Sequence, residues 1–358
     1  MTRETMFKLP PACTLLIALC TYCTGLYSQV TVHYINVGQA ASALLEFKSG
    51  AVLIDAGGEN TGNDAYRKHL VSYLNQFFTD RPDLEKTLDG VVISHPHIDH
   101  TMYLMDVMQN FNVLALVDNG ADKGSGISQL KKARAFAKAH KIRYTSVGDT
   151  GIRKTGKTLP LIEPGEPGAP RIIMLSGFRA CDNANNDSIA VHIQVGDVNL
   201  LFTGDAENED KTCKPLLSAL TDKYGSTKLL NAQVYHIAHH GSFNGTTEEF
   251  LKEVSPSIAV ISAGNPARQK PGQFHAFQFG HPREVAVNTV VSNVTGSRAD
   301  FGGAAKNVMI FPAAKKSKTV SMSKAVYCTC WDGDIKVQYP EGQDTPRITT
   351  TNFQVPPK

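Results

Sequence analysis

Hydrophobic and polar positions fall into short apolar runs, alternating or continuous, divided by glycine-rich turns and interrupted by a few stretches of helical spacing. Val30 to Asn36 alternates, Val37-Gly38-Gln39 turns, and Ala43 to Phe47 and Ala51 to Ile54 read as strands around Lys48-Ser49-Gly50. Ala65 to Phe78 carries Leu70, Tyr73, Leu74 and Phe77 at helical spacing and is expected to cover the sheet. Val91-Val92-Ile93 predicts a buried strand, Thr101 to Met108 the helix after it, and Val113 to Val117 another strand. Ser128 to His140 predicts a basic helix, whose charges are read as a solvated face, and residues 149–170 predict a surface loop. Arg171 to Leu175 is a strand. Ile189 to Val195 and Val198 to Phe202 form a hairpin across Gly196-Asp197. Asp210 to Leu220 is expected to be helical, Gln233 to Ala238 extended, Thr246 to Val254 helical, Ile258 to Ser262 extended and Arg283 to Asn293 helical. Ala325 to Thr329 and Asp334 to Tyr339 are expected to close the chain as a hairpin across Asp332-Gly333, leaving 341–358 as a fraying polar tail.

Composition agrees with a globular chain. The 358 residues are 42% hydrophobic and 19% charged, enough to bury a substantial core. The 29 glycines and 18 prolines favour a loop-rich α/β or β-sandwich enzyme over a helical bundle. A formal net charge of +3 speaks against a long nucleic-acid footprint and leaves room for a local patch. Arg3 and Lys8, the apolar run Cys13 to Cys23 and the small polar residues around Gly25 to Gln29 read as a secretory signal peptide, 1–28. An uncleaved anchor and lipidation at Cys20 are the alternatives, and no stable membrane domain is expected. Beyond that segment stand Cys181, Cys213, Cys328 and Cys330; the last two are too close in sequence to bridge each other comfortably, and the pairing stays open. The absence of a GxSxG or Walker-type motif removes serine hydrolases and nucleotide-driven machines, so no nucleotide cofactor is expected.

Chemistry concentrates in His95-Pro96-His97-Ile98-Asp99-His100, which follows the buried strand directly. Pro96 keeps His95 extended. Three imidazoles and a carboxylate packed so closely suit zinc, iron or manganese. His239-His240-Gly241, with His236 upstream on the same strand, is a second metal candidate. Asp205, in Thr203-Gly204-Asp205-Ala206-Glu207, is in isolation a common turn residue. Asp55, opening Asp55-Ala56-Gly57-Gly58, is either a turn-former or a carboxylate that orients a metal-bound histidine.

In this order the motifs resemble the metallo-β-lactamase superfamily, and within it the C-terminal hydrolase domain of ComEC-type DNA-uptake proteins and its secreted stand-alone relatives. The shared pattern runs through Asn36 to Gln39, Leu53 to Gly57, the His95 to His100 run, the Asn-rich loop ending at Ser188 and Thr203 to Asp205. It continues through His239 to Ser242, the strand ending at Ser262, Gly280-His281-Pro282 and Gly333 to Val337. The resemblance implies an α/β (α+β) fold, a four-layer αββα sandwich over residues 29–340 with the metal site at one edge of the two packed sheets. It implies two divalent ions, zinc first, with manganese or iron as alternatives. His95 and His97 would hold the first ion. Asp99, His100 and one of His239 and His240 would hold the second, and Asp205 would bridge. Many superfamily members supply a further histidine from the loop that here reads Asn186, Asp187 and Ser188, so the first site is open, weaker, or completed by Asp187 or water.

The same resemblance makes Asn186, Asp187, Ser188 and Ser242 candidates for lining the substrate pocket. Asp99 is expected to orient the nucleophile or take its proton; His281 is expected to grip the substrate or protonate the leaving group, or is a turn histidine. A divalent ion lowers the pKa of the water it binds from about 15.7 to roughly 7, which gives a hydrolase its nucleophile. The expected function is therefore an exported metal-dependent phosphodiesterase acting on nucleic acid or a small phosphodiester. The alternatives are hydrolysis of a carbonyl substrate such as a lactam or lactone, and a non-catalytic metal-binding surface module.

Overall fold

Two mixed β-sheets stack face to face in the computed structural model, which describes residues 29–59, 64–159, 161, 168–268, 274–299 and 303–353. The expected signal segment 1–28 lies outside the described residues. In the first sheet the order is Arg347–Thr350, Ile335–Tyr339, Val30–Tyr34, Ala43–Phe47, Gly50–Ile54, Gly90–Val92, Ala115–Asp118 and Arg143–Ser146. Its first five strands are antiparallel to their neighbours, and from Gly50–Ile54 onward the pairing is parallel. The second sheet runs Val326–Cys328, Ile258–Ile261, Val234–His236, Val198–Phe202, Val191–Val195, Arg171–Met174 and Lys157–Thr158.

Successive strand residues point to opposite faces, and that alternation builds the layers. Val52 and Ile54 enter the core between the sheets, whereas Ala51 and Leu53 enter the core beneath the helices. Val92 faces inward, and Val91 and Ile93 face outward. Both faces of these strands are covered, so they read as continuous apolar runs. Helices Ala65–Asp80, Leu104–Asn110 and Ile127–Ala139 bury Leu70, Leu74, Val107, Leu130 and Ala133 against the first sheet. Helices Leu216–Tyr224, Glu248–Val254 and Glu284–Asn293 add Leu220, Phe250 and Val290 to the core that includes the second sheet. Between the sheets, the Tyr34 ring stacks on Phe202 at 6.0 Å and on His236 at 5.5 Å between centroids. No described helix is long and apolar enough to cross a membrane.

The chain departs from the sequence expectation in several places. Val326–Cys328 and Ile335–Tyr339 are not a hairpin: the former pairs in parallel with Ile258–Ile261 and the latter antiparallel with Val30–Tyr34, so the chain crosses between sheets there. Buried Asp332 fixes the crossing by accepting from Cys328 N (3.0 Å), Arg298 (2.7 Å) and Lys306 (2.6 Å). The tail does not fray throughout, since Arg347–Thr350 adds an edge strand beside Ile335–Tyr339. Lys306–Ala313 and Lys316–Met322 form a further hairpin, where no strands are expected from the sequence. The expected helix over 210–220 starts later, at Leu216, because the Asp210 carboxylate accepts from Thr212 N and Cys213 N (2.8 and 2.9 Å) and holds a turn ahead of Pro215. Disulfides join Cys181 to Cys213 and Cys328 to Cys330; the turn into Thr329–Asp332 brings the latter pair's Cα atoms to 5.0 Å, correcting the reading that they are too close to bridge.

Candidate metal centre

The centre forms where loops leave the C-terminal ends of four strands. From the first sheet come Asp55, after Gly50–Ile54, and the segment Ser94 to His100, after Gly90–Val92. From the second come Thr203 to Glu207, after Val198–Phe202, and His239 to Gly241, after Val234–His236. Pro96 disfavours helical backbone at His95 before it, His97 is itself extended (ψ 154), and one helical turn, Ile98–Thr101, then carries Asp99 and His100. That turn packs so closely on the Asp55 loop that a Cβ on Gly57 would lie 1.7 Å from the Asp99 carbonyl oxygen.

Two groups of ligand atoms result, each within 4.8 Å: His95, His97 and Asp205, and Asp99, His100, Asp205 and His240. Asp205 belongs to both. Its Oδ1 is 3.1 Å from His100 Nε2, and its Oδ2 is 3.6 Å from His240 Nε2 and 3.8 Å from His95 Nε2. His95 Nε2 and His97 Nδ1 are 3.0 Å apart, and His240 Nε2 is 3.1 Å from Asp99 Oδ2. Of the paired histidines, His240 therefore joins the second group. His239 lies outside both: its Nδ1 is within 3.1 Å of Glu207 and Asn244, and its Nε2 stands 4.0 Å from Asp205. Left-handed backbone at both (φ 48 and 54) turns the two rings apart.

Supporting residues orient the rings. His100 Nδ1 donates to Asp55 Oδ2 at 2.7 Å, while Asp55 also accepts from Ser94 N (2.7 Å) and Ser94 Oγ (2.9 Å). His240 Nδ1 donates to the Ser262 carbonyl at 2.7 Å. Each leaves Nε2 as the free ligand atom, as metal-binding histidines require. The His100 Nε2 atom is buried and makes no hydrogen bond despite its nearness to Asp205. An orphaned imidazole nitrogen beside two carboxylates and further imidazoles fits a divalent cation of the zinc, manganese or iron type.

The electrostatics agree. Burial pushes His95 well below the usual imidazole range, with His100 and His97 adding to the effect, and burial likewise lowers His97; both keep neutral lone pairs. Burial opposes ionisation of Asp205, but His100, His240 and His239 outweigh it and hold the carboxyl well below the usual range. Burial would lower His100 too, yet Asp205 and Asp55 raise it well above 6.5. The ionised carboxylates thus favour positive charge at this place, which they here draw to the His100 ring.

The loop residues expected to line the pocket behave differently. Asn186 is fully buried, with Nδ2 donating to Glu209 O and Asp210 and Oδ1 accepting from Glu207 N and Leu216 N, so it has no polar atom left for a substrate. Ser188, equally buried, accepts from Asp205 N at 3.1 Å and so positions the bridging carboxylate. Asp187 is outside both ligand groups; its Oδ1 accepts from Arg179 N and Cys181 N. It does border a cavity of about 480 Å³ that His97, Lys123, Phe178, Asp182 and Asn183 also line, on the side of the first ligand group. Ser242 is buried beside the paired histidines, its N–H donating to His239 O at 2.7 Å. His281 is drawn in from the far end of the chain: its ring lies 5.7 Å from that of His239 and 6.2 Å from that of His240. Gly264 N donates to Gln39 Oε1 (3.3 Å), which directs Gln39 Nε2 to donate to His281 Nδ1 (2.9 Å) and leaves the neutral ring's proton on Nε2.

Sequence reasoning missed Glu207, Ser94 and the role of Gln39. Glu207 is buried and accepts from Asn183, Asn185 and Asn244 while holding His239. Its only signal was a carboxylate two residues beyond Asp205. Gln39 was visible as part of the Val37-Gly38-Gln39 turn, without a partner.

The Metallo-beta-lactamase superfamily profile matches residues 35–264. ComE operon protein 3 of Bacillus subtilis (strain 168) is 26% identical over 269 residues, covering 72% of this chain and 31% of that protein. Competence protein ComA of Neisseria gonorrhoeae is 31% identical over 121 residues, covering 34% of this chain and 15% of that protein. The chain thus spans 31% or less of the length of these relatives. Among solved structures, the metallo-beta-lactamase fold protein YhfI from Bacillus subtilis aligns over 75% of this chain and 94% of its own, at 14% identity and a TM-score of 0.43.

Proposed function

Since the chain belongs to the metallo-beta-lactamase superfamily, we propose that its two ligand groups form a dinuclear centre that hydrolyses a phosphodiester. The observation that carries this reading is Asp205, shared between the groups within 3.8 Å of His95, His100 and His240, beside a cavity that reaches His97. Divalent ions bound there, zinc or alternatively manganese or iron, supply Lewis acidity and a nucleophile from water at neutral pH. His95 and His97 would hold one ion and Asp99, His100 and His240 the other, with Asp205 shared between the two groups. Asp99 is placed to orient the attacking water and to take its proton. His281 is buried among imidazoles that push it well below its usual range, with burial the largest cause, so it is neutral and offers Nε2–H to a phosphoryl oxygen. Gln39 keeps it in that tautomer.

The relative named competence protein ComA supports a nucleic-acid substrate, and the donor set suits a small phosphodiester equally. The Cys181–Cys213 bridge fits an oxidising compartment and so supports the exported location read from 1–28. The test is cleavage of labelled single-stranded DNA and of bis(p-nitrophenyl) phosphate by the manganese- or zinc-loaded protein, beside D205N. Cleavage of either substrate, abolished in D205N, is expected. No cleavage of either by protein shown to hold two ions refutes the reading and redirects the search to carbonyl substrates.

A further inference from the structure

The charge of this chain is concentrated on one flank, and the metal centre does not account for it. Residues 121–158 hold ten Lys and Arg against two Asp, whereas the rest of the chain holds 26 basic and 31 acidic side chains. The segment forms one side of the sandwich: helix Ile127–Ala139, then the edge strand Arg143–Ser146 of the first sheet, then the edge strand Lys157–Thr158 of the second. Lys123, Lys131, Lys132, Lys138, Lys141 and Arg143 are all exposed, and none makes an ion pair among the described residues. Arg134 differs, since Asp118 holds it through two hydrogen bonds of 2.8 and 3.0 Å.

This row leads to the cavity. Lys123 lines it, and the helix start is pinned to the metal loop by Gly126 N donating to Pro96 O (2.8 Å) and Ile98 N donating to Ser125 Oγ (3.0 Å). The 13-residue helix is about 20 Å long and carries Lys131, Lys132 and Lys138 along it. The edge strand returns from Arg143 to Ser146, after which Phe178 N, itself in the cavity wall, donates to Val147 O at 2.8 Å. Tyr144 stands 41% exposed on that strand, its hydroxyl donating to Asp118 at 3.0 Å and the Arg134 guanidinium 5.9 Å from its ring centroid, an aromatic side chain among the cations. Edge strands often carry Lys or Arg to block strand addition, which explains Arg143 and Lys157 but not Lys131, Lys132 and Lys138 on a helix.

We propose that this flank is a binding track for the phosphate backbone of a single nucleic-acid strand, separate from the metal ligands and continuous with the cavity. A linear row of unpaired cations beside an exposed aromatic ring matches a flexible polyanion with planar bases better than a flat anionic membrane. Binding along the track is independent of hydrolysis, so it stands or falls apart from the proposed activity.

The experiment measures anisotropy of a labelled oligothymidylate of about 20 nucleotides with the full chain in EDTA, across a salt series. Neutralising about four phosphates gives a log–log salt slope of about −3 and roughly fifty-fold weaker binding between 50 and 200 mM salt. The variant K131E/K132E/K138E is expected to bind at least tenfold more weakly with a flatter slope. K315E/K316E, a charge reversal at the turn of the Lys306–Ala313 and Lys316–Met322 hairpin, outside residues 121–158, is expected to bind like the parent. Thermal melts show whether each variant is folded. Absence of saturable binding at about 50 mM salt, equal losses in both variants, or capture of phosphatidylserine vesicles without oligonucleotide binding would each overturn the proposal.

Discussion

Replacing Asp55 by asparagine separates its two conceivable roles, because asparagine tolerates the left-handed backbone (φ 59) that the turn requires while losing the second carboxylate oxygen. In the native centre Oδ1 accepts from Ser94 N, and Oδ2 accepts from His100 Nδ1 and Ser94 Oγ. An amide cannot satisfy all three. With its NH₂ toward His100, Nδ1 must become an acceptor; the proton moves to Nε2, and that nitrogen can no longer bind an ion. With its NH₂ toward Ser94 N, two buried donors face each other at a cost of about 1–3 kcal/mol. Loss of such an orienting partner typically weakens metal affinity about 10- to 100-fold. Titration against a chromophoric zinc chelator should therefore show one site weakened by that factor in D55N and the His95–His97 site nearly unchanged. Unaltered affinity at both sites in a folded D55N protein would refute the orienting role and leave Asp55 as a turn-former.

Three further outcomes are expected. Glu207→Gln places an NH₂ among the Asn183, Asn185 and Asn244 amides that donate to the carboxylate, and urea denaturation should show a loss of about 1–3 kcal/mol; an unchanged midpoint would contradict this. Gly57→Ala puts a methyl group 1.7 Å from Asp99 O, so it should lose the second ion in a stoichiometric titration or fail to fold, and full occupancy of both sites in a folded variant would show that the loop yields. Burial opposes ionisation of Asp210, but hydrogen bonds from Cys213 N and Thr212 N lower it from 3.8 to about 2. Its contribution to stability is thus present above the unfolded value and lost as pH falls through about 2. The stability gap between the parent and D210N should narrow as pH is lowered from 5 toward 2, and a constant gap would argue against it.

Much of the centre was legible because its chemistry is local. Six consecutive residues carry four candidate ligands, and the strand before them is apolar on both faces. What was not legible depends on contacts between distant segments. His240 is distinguished from His239 by backbone angles, by the Ser262 carbonyl, and by Glu207 and Asn244, which hold His239. Asn186 and Ser188 were placed in the pocket by their position in a loop, whereas their side chains point into the protein to hold Asp210, Glu207 and Asp205. The Asp332-Gly333 turn carries the same local signal whether it closes a hairpin or passes between sheets; buried Arg298, tens of residues away, decides. The hairpin of Lys306–Ala313 and Lys316–Met322 escaped notice because only a few of its residues, such as Val308, Ile310 and Met322, reach the core.

The candidate ligands come from both sheets: His95, His97, Asp99 and His100 stand on loops of the first, and Asp205 and His240 on loops of the second. Their mutual distances therefore gauge how far apart the two sheets lie. Rings such as Tyr34, wedged against Phe202 and His236, set that spacing from deep inside the sandwich. A change of side-chain volume there would shift the two ligand groups relative to each other while every candidate ligand stays on its loop, and a pair of ions bound as proposed would act in turn as a clasp that draws the sheets into register.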